Sequence, residues 1–159
     1  CLSRGLGDVY KRQSTDYAIR LLLYLAKSSK IISSTKLAEA IGVSPRYLLQ
    51  IGAKLRDSDL ITTTYGSAGG YALTKPPKAI SLFDIIIVME ERVKVNQRND
   101  EEESLKQVEF KIIDIAYEYV DGVLCDILKS ITIENLLSQS IEEWYLAPCL
   151  MNLSEKTRE

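Results

Sequence analysis

Arg46 and Gln50 stand four residues apart, one helical turn, directly after the pair Ser44-Pro45. A guanidinium presents two parallel N–H donors that match O6 and N7 of guanine. A carboxamide presents one donor and one acceptor, the pattern that matches adenine. On one face of one helix the two side chains could read neighbouring base edges; a phosphate contact or a solvated position is the plainer role for each. Tyr47 fits packing or a phosphate contact better than base reading. Lys54, Lys36 and Arg20 are candidate phosphate ligands, with plain surface charge as the alternative. Thr35 and Ser44 join the set as candidate DNA contacts, although helix capping alone explains a hydroxyl at either place.

Other chemistry is poorly supplied. The chain has no histidine and three cysteines, Cys1, Cys125 and Cys149, with no CxxC spacing. Without imidazole there is no Ser-His or Cys-His nucleophilic pair, and most zinc sites fall away. An enzyme is not expected, nor a metal or other cofactor. Scattered cysteines fit a reducing cytoplasm rather than a disulfide scaffold. Cys125 reads as a buried small hydrophobe and Cys149 sits near a polar end; these two are the candidates for thiol oxidation. Asp114, Glu118 and Asp121 share a helix face, whose usual meaning is a solvated row.

The elements that must position Arg46 and Gln50 follow from periodicity. Apolar residues at Tyr17, Leu21 and Leu25 predict an amphipathic helix from Ser14 to Lys27, started by Ser14 or Thr15. Ser33-Ser34 starts a second helix with Leu37, Ala38 and Ile41 inward, and Gly42 ends it. Ser44 caps a third helix with Pro45 at its first position, where a missing N–H costs nothing, and with Leu48, Ile51 and Leu55 inward. The β-branched run Ile61-Thr62-Thr63-Thr64-Tyr65 predicts a strand, Gly66 to Gly70 a turn, and Tyr71-Ala72-Leu73 the returning strand. Helix, turn, helix and hairpin in this order make a winged helix, with the third helix in a major groove and the loop tip on flanking backbone. At the tip, Tyr65, Ser67 and the backbone N–H groups of Gly69 and Gly70 are candidate contacts.

Ser81 starts a fourth helix, Leu82 to about Glu91, whose wide apolar face should be buried. Residues 93–103 read as a polar loop. A long helix follows from about Ser104, with one apolar seam at Leu105, Val108, Ile112, Ile115 and Tyr119 and a second at Ile113, Ala116, Val120 and Val123. Two seams need two covering surfaces, one of them a partner subunit; a single broad face buried within one chain is the alternative. A last helix is expected from Thr132 to about Tyr145, then a disordered tail over 146–159. Residues 1–13, CLSRGLGDVYKRQ, lack an initiator Met and look like translated adapter sequence, so they are set aside as foreign.

Charge follows the same division. Residues 14–80 carry nine Lys/Arg against four Asp/Glu, net +5, and residues 81–159 carry eight against seventeen, net −9. The front half is the part fit to meet phosphates. No apolar run approaches the roughly 20 residues of a membrane span.

From Ser14 to about Ser138 the chain resembles the Rrf2 family of bacterial transcription regulators. The resemblance rests on Thr15-Asp16-Tyr17-Ala18-Ile19-Arg20, on Leu37 to Ser44, on Lys54-Leu55-Arg56, on the wing Gly66-Ser67-Ala68-Gly69-Gly70-Tyr71 with Pro76-Pro77 after it, and on Ile131 to Leu137. It implies a mainly α fold with a small hairpin wing and a long helix that pairs two subunits. Many members of that family carry an iron–sulfur cluster on three cysteines before the dimer helix; residues 91–104 here contain none. The family often has Arg where this chain has Tyr65. The resulting expectation is a winged-helix domain over 14–80 and a dimerisation region over 81–145. The chain should be a cytoplasmic, homodimeric, sequence-specific regulator of double-stranded DNA, acting as a repressor without a cluster. A protein or small-molecule co-regulator is an open partner, and the competing class is a winged helix that docks proteins instead of DNA.

Overall fold

The computed structural model describes residues 2–28, 30–66, 69–90 and 108–138. Helix α1 spans Leu2–Ser28, α2 Ser34–Ile41 and α3 Pro45–Asp57. Strands β1 (Ile61–Thr64) and β2 (Gly70–Leu73) form an antiparallel hairpin in the register Ile61↔Leu73 to Thr64↔Gly70. A short 3-10 turn at Pro77–Ala79 leads to α4 (Leu82–Glu90); α5 (Val108–Ser130) and α6 (Ile133–Ser138) complete the described elements. The structure is therefore mainly helical with a two-stranded wing. The loop expected at 93–103, the second half of the predicted last helix and the predicted tail lie outside the described residues.

α1 is the axle of the core. Leu21, Leu22 and Leu25 lie among Leu37 of α2, Leu48 and Leu55 of α3, Ile61 of β1 and Ile85 of α4, all essentially inaccessible to solvent. One start signal read from the sequence is corrected. α1 begins at Leu2 and runs through residue 13, so Ser14 and Thr15 are interior residues rather than caps, and both are buried. The physical reason is a tertiary partner: the Thr15 hydroxyl donates to Glu90 Oε1 at the end of α4, 2.8 Å away.

The wing has a third member that periodicity does not reveal. Ile32, between α1 and α2, pairs with Tyr71 through two backbone bonds: Tyr71 N–H donates to Ile32 O at 2.8 Å and Ile32 N–H donates to Tyr71 O at 3.0 Å. That approach requires Gly70. A Cβ there would lie 2.1 Å from Ile32 O. Beyond it, the buried ring of Tyr71 lies against Gly52 in α3, where an added Cβ would stand 3.0 Å from the ring.

The two short segments that enter α4 and α6 are locked to each other. Ser81 and Asp84 form a capping box, each satisfying the other's backbone N–H, and Thr132 and Asn135 repeat it one helix later. The cap residues themselves pair, with Leu82 N–H donating to Ile131 O at 2.8 Å and Ile133 N–H to Ile80 O at 2.9 Å. α5 is thereby anchored to the domain at its C-terminal end, where Lys129 Nζ sits 4.9 Å over the Phe83 ring. Residues 112–120 are exposed throughout, so the described members of both predicted seams within that stretch face solvent in the single chain. The expectation that α4 hides a wide apolar face holds for Ile85 and Met89, while Ile87 stays 38% exposed.

Two glycine substitutions should separate strain from collision. Gly42 has φ 75° with open space around it, so Gly42→Ala is expected to cost about 1–2 kcal/mol, the left-handed penalty alone. Gly70→Ala drives a carbon into a backbone carbonyl and is expected to cost more, at least about 3 kcal/mol. Urea denaturation of the two variants checks the order; a reversed order would refute the Ile32–Tyr71 closure.

Candidate nucleic-acid interface

The helix that carries Arg46 and Gln50 is set by two hydroxyl caps and a left-handed glycine. Ser33 Oγ accepts from Lys36 N–H at the start of α2, and Gly42 closes that helix with Val43 N–H donating to Ala38 O at 3.0 Å. Ser44 Oγ then accepts from Tyr47 N–H at 3.2 Å and starts α3 with Pro45 in its first turn. Leu48, Ile51 and Leu55 fix one face of α3 in the core, which turns Arg46, Leu49 and Gln50 outward. Arg46 and Gln50 are thus exposed one turn apart, on the geometry that direct reading of bases uses. Thr35 and Lys36 are exposed in the first turn of α2, and Ser44 is exposed but occupied as the cap.

Leu49 was missed in the sequence. It is an apolar side chain 58% exposed on the reading face, where it can meet a thymine methyl group. The signal was available: Leu48 continues the inward spacing of Ile51 and Leu55 at steps of three and four, and Leu49 falls off that stripe.

Tyr47 and Arg20 belong to a stack rather than to the open face. The Tyr47 ring packs edge-on against Tyr17, centroids 5.9 Å apart at 86°. The Arg20 guanidinium lies 5.7 Å from the Tyr17 centroid and pairs with Asp16 at 2.8 Å. This joins α3 to α1 and leaves Arg20 more than half exposed, with its charge already answered by a neighbour. Lys54 is exposed, yet its Nζ donates to Met89 O at 3.5 Å, at the carbonyl end of α4 where a cation is favoured.

The wing departs further from expectation. Tyr65 is 82% exposed, the most open aromatic among the described residues. Ser67 lies outside them. The N–H of Gly69, read as a phosphate donor, is already bonded to Gly66 O at 3.0 Å within the turn, and Gly70 is buried against Ile32. Both glycines therefore shape the loop. A cation that sequence reasoning passed over stands beside them: Arg56, at the end of α3, is bonded to Asp57 Oδ1 through Nε and Nη2 at 3.1 and 2.9 Å. Asp57 stabilises its protonated form most, and the nearby Tyr65 adds to it. Burial pushes the neighbouring Tyr71 phenol up.

Of the predicted dimer seam, Ile112, Ile115 and Tyr119 are 66%, 64% and 64% exposed on α5; the Leu105 and Val108 side chains lie outside the described residues. Cys125 is a free, half-buried thiol on the same helix, and Cys149 lies outside. Among the described residues no three His, Cys, Asp or Glu side chains gather where a metal could be held, and no helix is long and apolar enough to cross a membrane.

A family model described as "Rrf2: Iron-dependent Transcriptional regulator" matches residues 12–139. The chain is 31% identical over 119 residues to the HTH-type transcriptional regulator CymR of Bacillus subtilis, a match covering 73% of this chain and 86% of CymR. It is 36% identical over 80 residues to Protein aau3 of Rhizobium meliloti, covering 50% of this chain and about half (52%) of that protein. The solved structure of CymR, the global cysteine regulator of B. subtilis, superposes with a TM-score of 0.61 at 28% identity, covering 80% of this chain and 95% of that one.

Adjacent leucines test which side of α3 is buried. Leu48→Ala is expected to cost about 2–5 kcal/mol and Leu49→Ala less than about 0.5 kcal/mol, read from denaturant midpoints. Equal costs would mean that α3 packs by a different face and does not present Arg46 and Gln50 together.

Proposed function

The chain belongs to the Rrf2 family of transcriptional regulators, and from that premise we propose that it binds operator DNA as a homodimer and represses transcription without an iron–sulfur cluster. The observation that carries this reading is the outer face of α3, where Arg46, Leu49 and Gln50 stand exposed on a helix whose opposite face is fully buried. Residues 14–80 act as the DNA-binding unit and 81–145 as the dimerisation region. The net +5 of the first region supplies phosphate attraction; the net −9 of residues 81–159 keeps the second region off the duplex. Thr35, Lys36 and Ser44 lie at helix starts beside that face and serve as phosphate contacts, with Tyr65 at the wing.

The apolar stripe Ile112, Ile115 and Tyr119 is the dimer seam. Two copies of α5 side by side would remove these side chains from water, at about 25 cal/mol per Å² of apolar surface. Two-fold pairing places the two α3 helices about one duplex turn or a multiple of it apart, so the operator is an inverted repeat.

The family's iron chemistry does not fit this donor set. A cluster needs four thiolates or imidazoles, and the chain has three cysteines and no histidine, none of them within 91–104. Sensing therefore falls to a bound small molecule, a protein co-regulator, or oxidation of Cys125 or Cys149.

Selection from a pool of random duplexes at two salt concentrations tests the DNA reading. The expected result is a recovered inverted repeat whose affinity falls steeply as salt rises. No retention at low salt would leave the protein-docking reading in its place. On the recovered site, Arg46→Ala should lose about 1–3 kcal/mol and relax preference at one position, whereas Lys36→Ala should weaken all sequences alike and reduce the salt slope by about one. Ile115→Asp should give a monomer by sedimentation with its thermal transition retained; a dimer of unchanged affinity would remove α5 as the seam.

A further inference from the structure

Between the C-terminal end of α1, the segment that follows it, β2 and the 3-10 turn lies a groove of about 350 Å³. Its floor is aliphatic: Leu25 from α1, Ile31 from the segment between α1 and α2, Leu73 from β2 and Pro77 from the 3-10 turn. Its charged lining is Lys30 and Lys75, and no carboxylate is present among the described lining residues. Neither lysine has an ion-pair partner among the described residues, although four Asp/Glu occur in the surrounding region 14–80.

We propose that this groove binds a small aliphatic monocarboxylate, its tail on Leu25, Ile31 and Leu73 and its carboxylate between Lys30 and Lys75. Two observations point to that chemistry. Ile31 is 49% exposed although its neighbour Ile32 is almost fully buried. The cause is the extended pairing of Ile32 with Tyr71, which alternates side chains and turns Ile31 into the groove. An aliphatic surface is thus left open to water where an alkyl tail can cover it. Two unneutralised ammonium groups then select an anion over a neutral or cationic analogue. The volume lies at the lower end of small-molecule sites, which matches a compact ligand better than a folded partner. The occupant would touch both sides of the Ile32–Tyr71 pairing, the α1–α2 segment and β2, and would stiffen the wing against α1. None of this depends on the DNA reading.

The test uses the full chain with labelled methyl groups, observed by NMR, and hexanoate as the probe. Hexanoate should shift the methyls of Leu25, Ile31 and Leu73 saturably, and hexylamine should not. In Lys30→Gln/Lys75→Gln, whose unliganded spectrum should be unchanged elsewhere because both side chains are exposed, the dissociation constant should rise about tenfold or more. Equal shifts with hexanol, hexylamine and hexanoate would overturn the proposal, leaving apolar surface without charge selection. So would methyl shifts that track protein dilution alone, which would make a second copy the occupant. Silence toward hexanoate together with a response to a short acidic, leucine-containing peptide would likewise overturn it and make the groove a protein-docking site.

Discussion

Two hydrogen bonds between Ile32 and Tyr71 hold the DNA-reading unit in one piece. They tie the segment that enters α2 to the second strand of the wing. The ring of Tyr71 then reaches the back of α3 at Gly52, so three elements distant in sequence share one contact. Gly70 permits the backbones to meet, and Gly52 leaves room for the ring against the helix. A side chain at Gly70 would force β2 away from Ile32, and one at Gly52 would push the Tyr71 ring outward. The caps at Ser33 and Ser44 then set direction: each fixes where a helix starts, and Gly42 between them fixes the angle.

A second closure works at the other end of the domain. The capping boxes Ser81–Asp84 and Thr132–Asn135 face each other across a backbone bridge, so the beginnings of α4 and α6 cannot separate without exposing unsatisfied amides. α5 leaves this junction with its C-terminal end held and its middle in water. The architecture therefore joins a packed winged-helix head to a helix whose middle is apolar and exposed.

Much of this was legible in the residues because it is local. The periodicity of Leu37, Ala38 and Ile41, the Ser-Pro start of α3 and the β-branched run into a glycine turn each depend on neighbours within a few positions, and each element lies where that spacing places it. What was not legible depends on distant partners. Ser14 and Thr15 look like caps until α4 supplies Glu90 as a partner 75 residues away. Gly69 looks like a phosphate donor until the turn claims its N–H. Lys54 looks like surface charge until the carbonyl of Met89 appears beside it. Arg56 looks like plain surface charge until Asp57 takes its guanidinium beside the wing. Leu49 is the exception, since it falls off the stripe of Leu48, Ile51 and Leu55 that the spacing already turns inward.

The side chains that hold α3 and the side chains that face away from it are different residues, and this has a consequence over evolutionary time. Leu48, Ile51, Gly52 and Leu55 bear the packing, while Arg46, Leu49, Gln50 and the wing residue Tyr65 bear almost none of it. Substitutions at the second group change stability by little, so they are not purged for folding defects. Lineages descending from such a scaffold can drift in what this outer face presents while the scaffold stays constant. The chemistry of the exposed face is a heritable variable nearly orthogonal to fold stability.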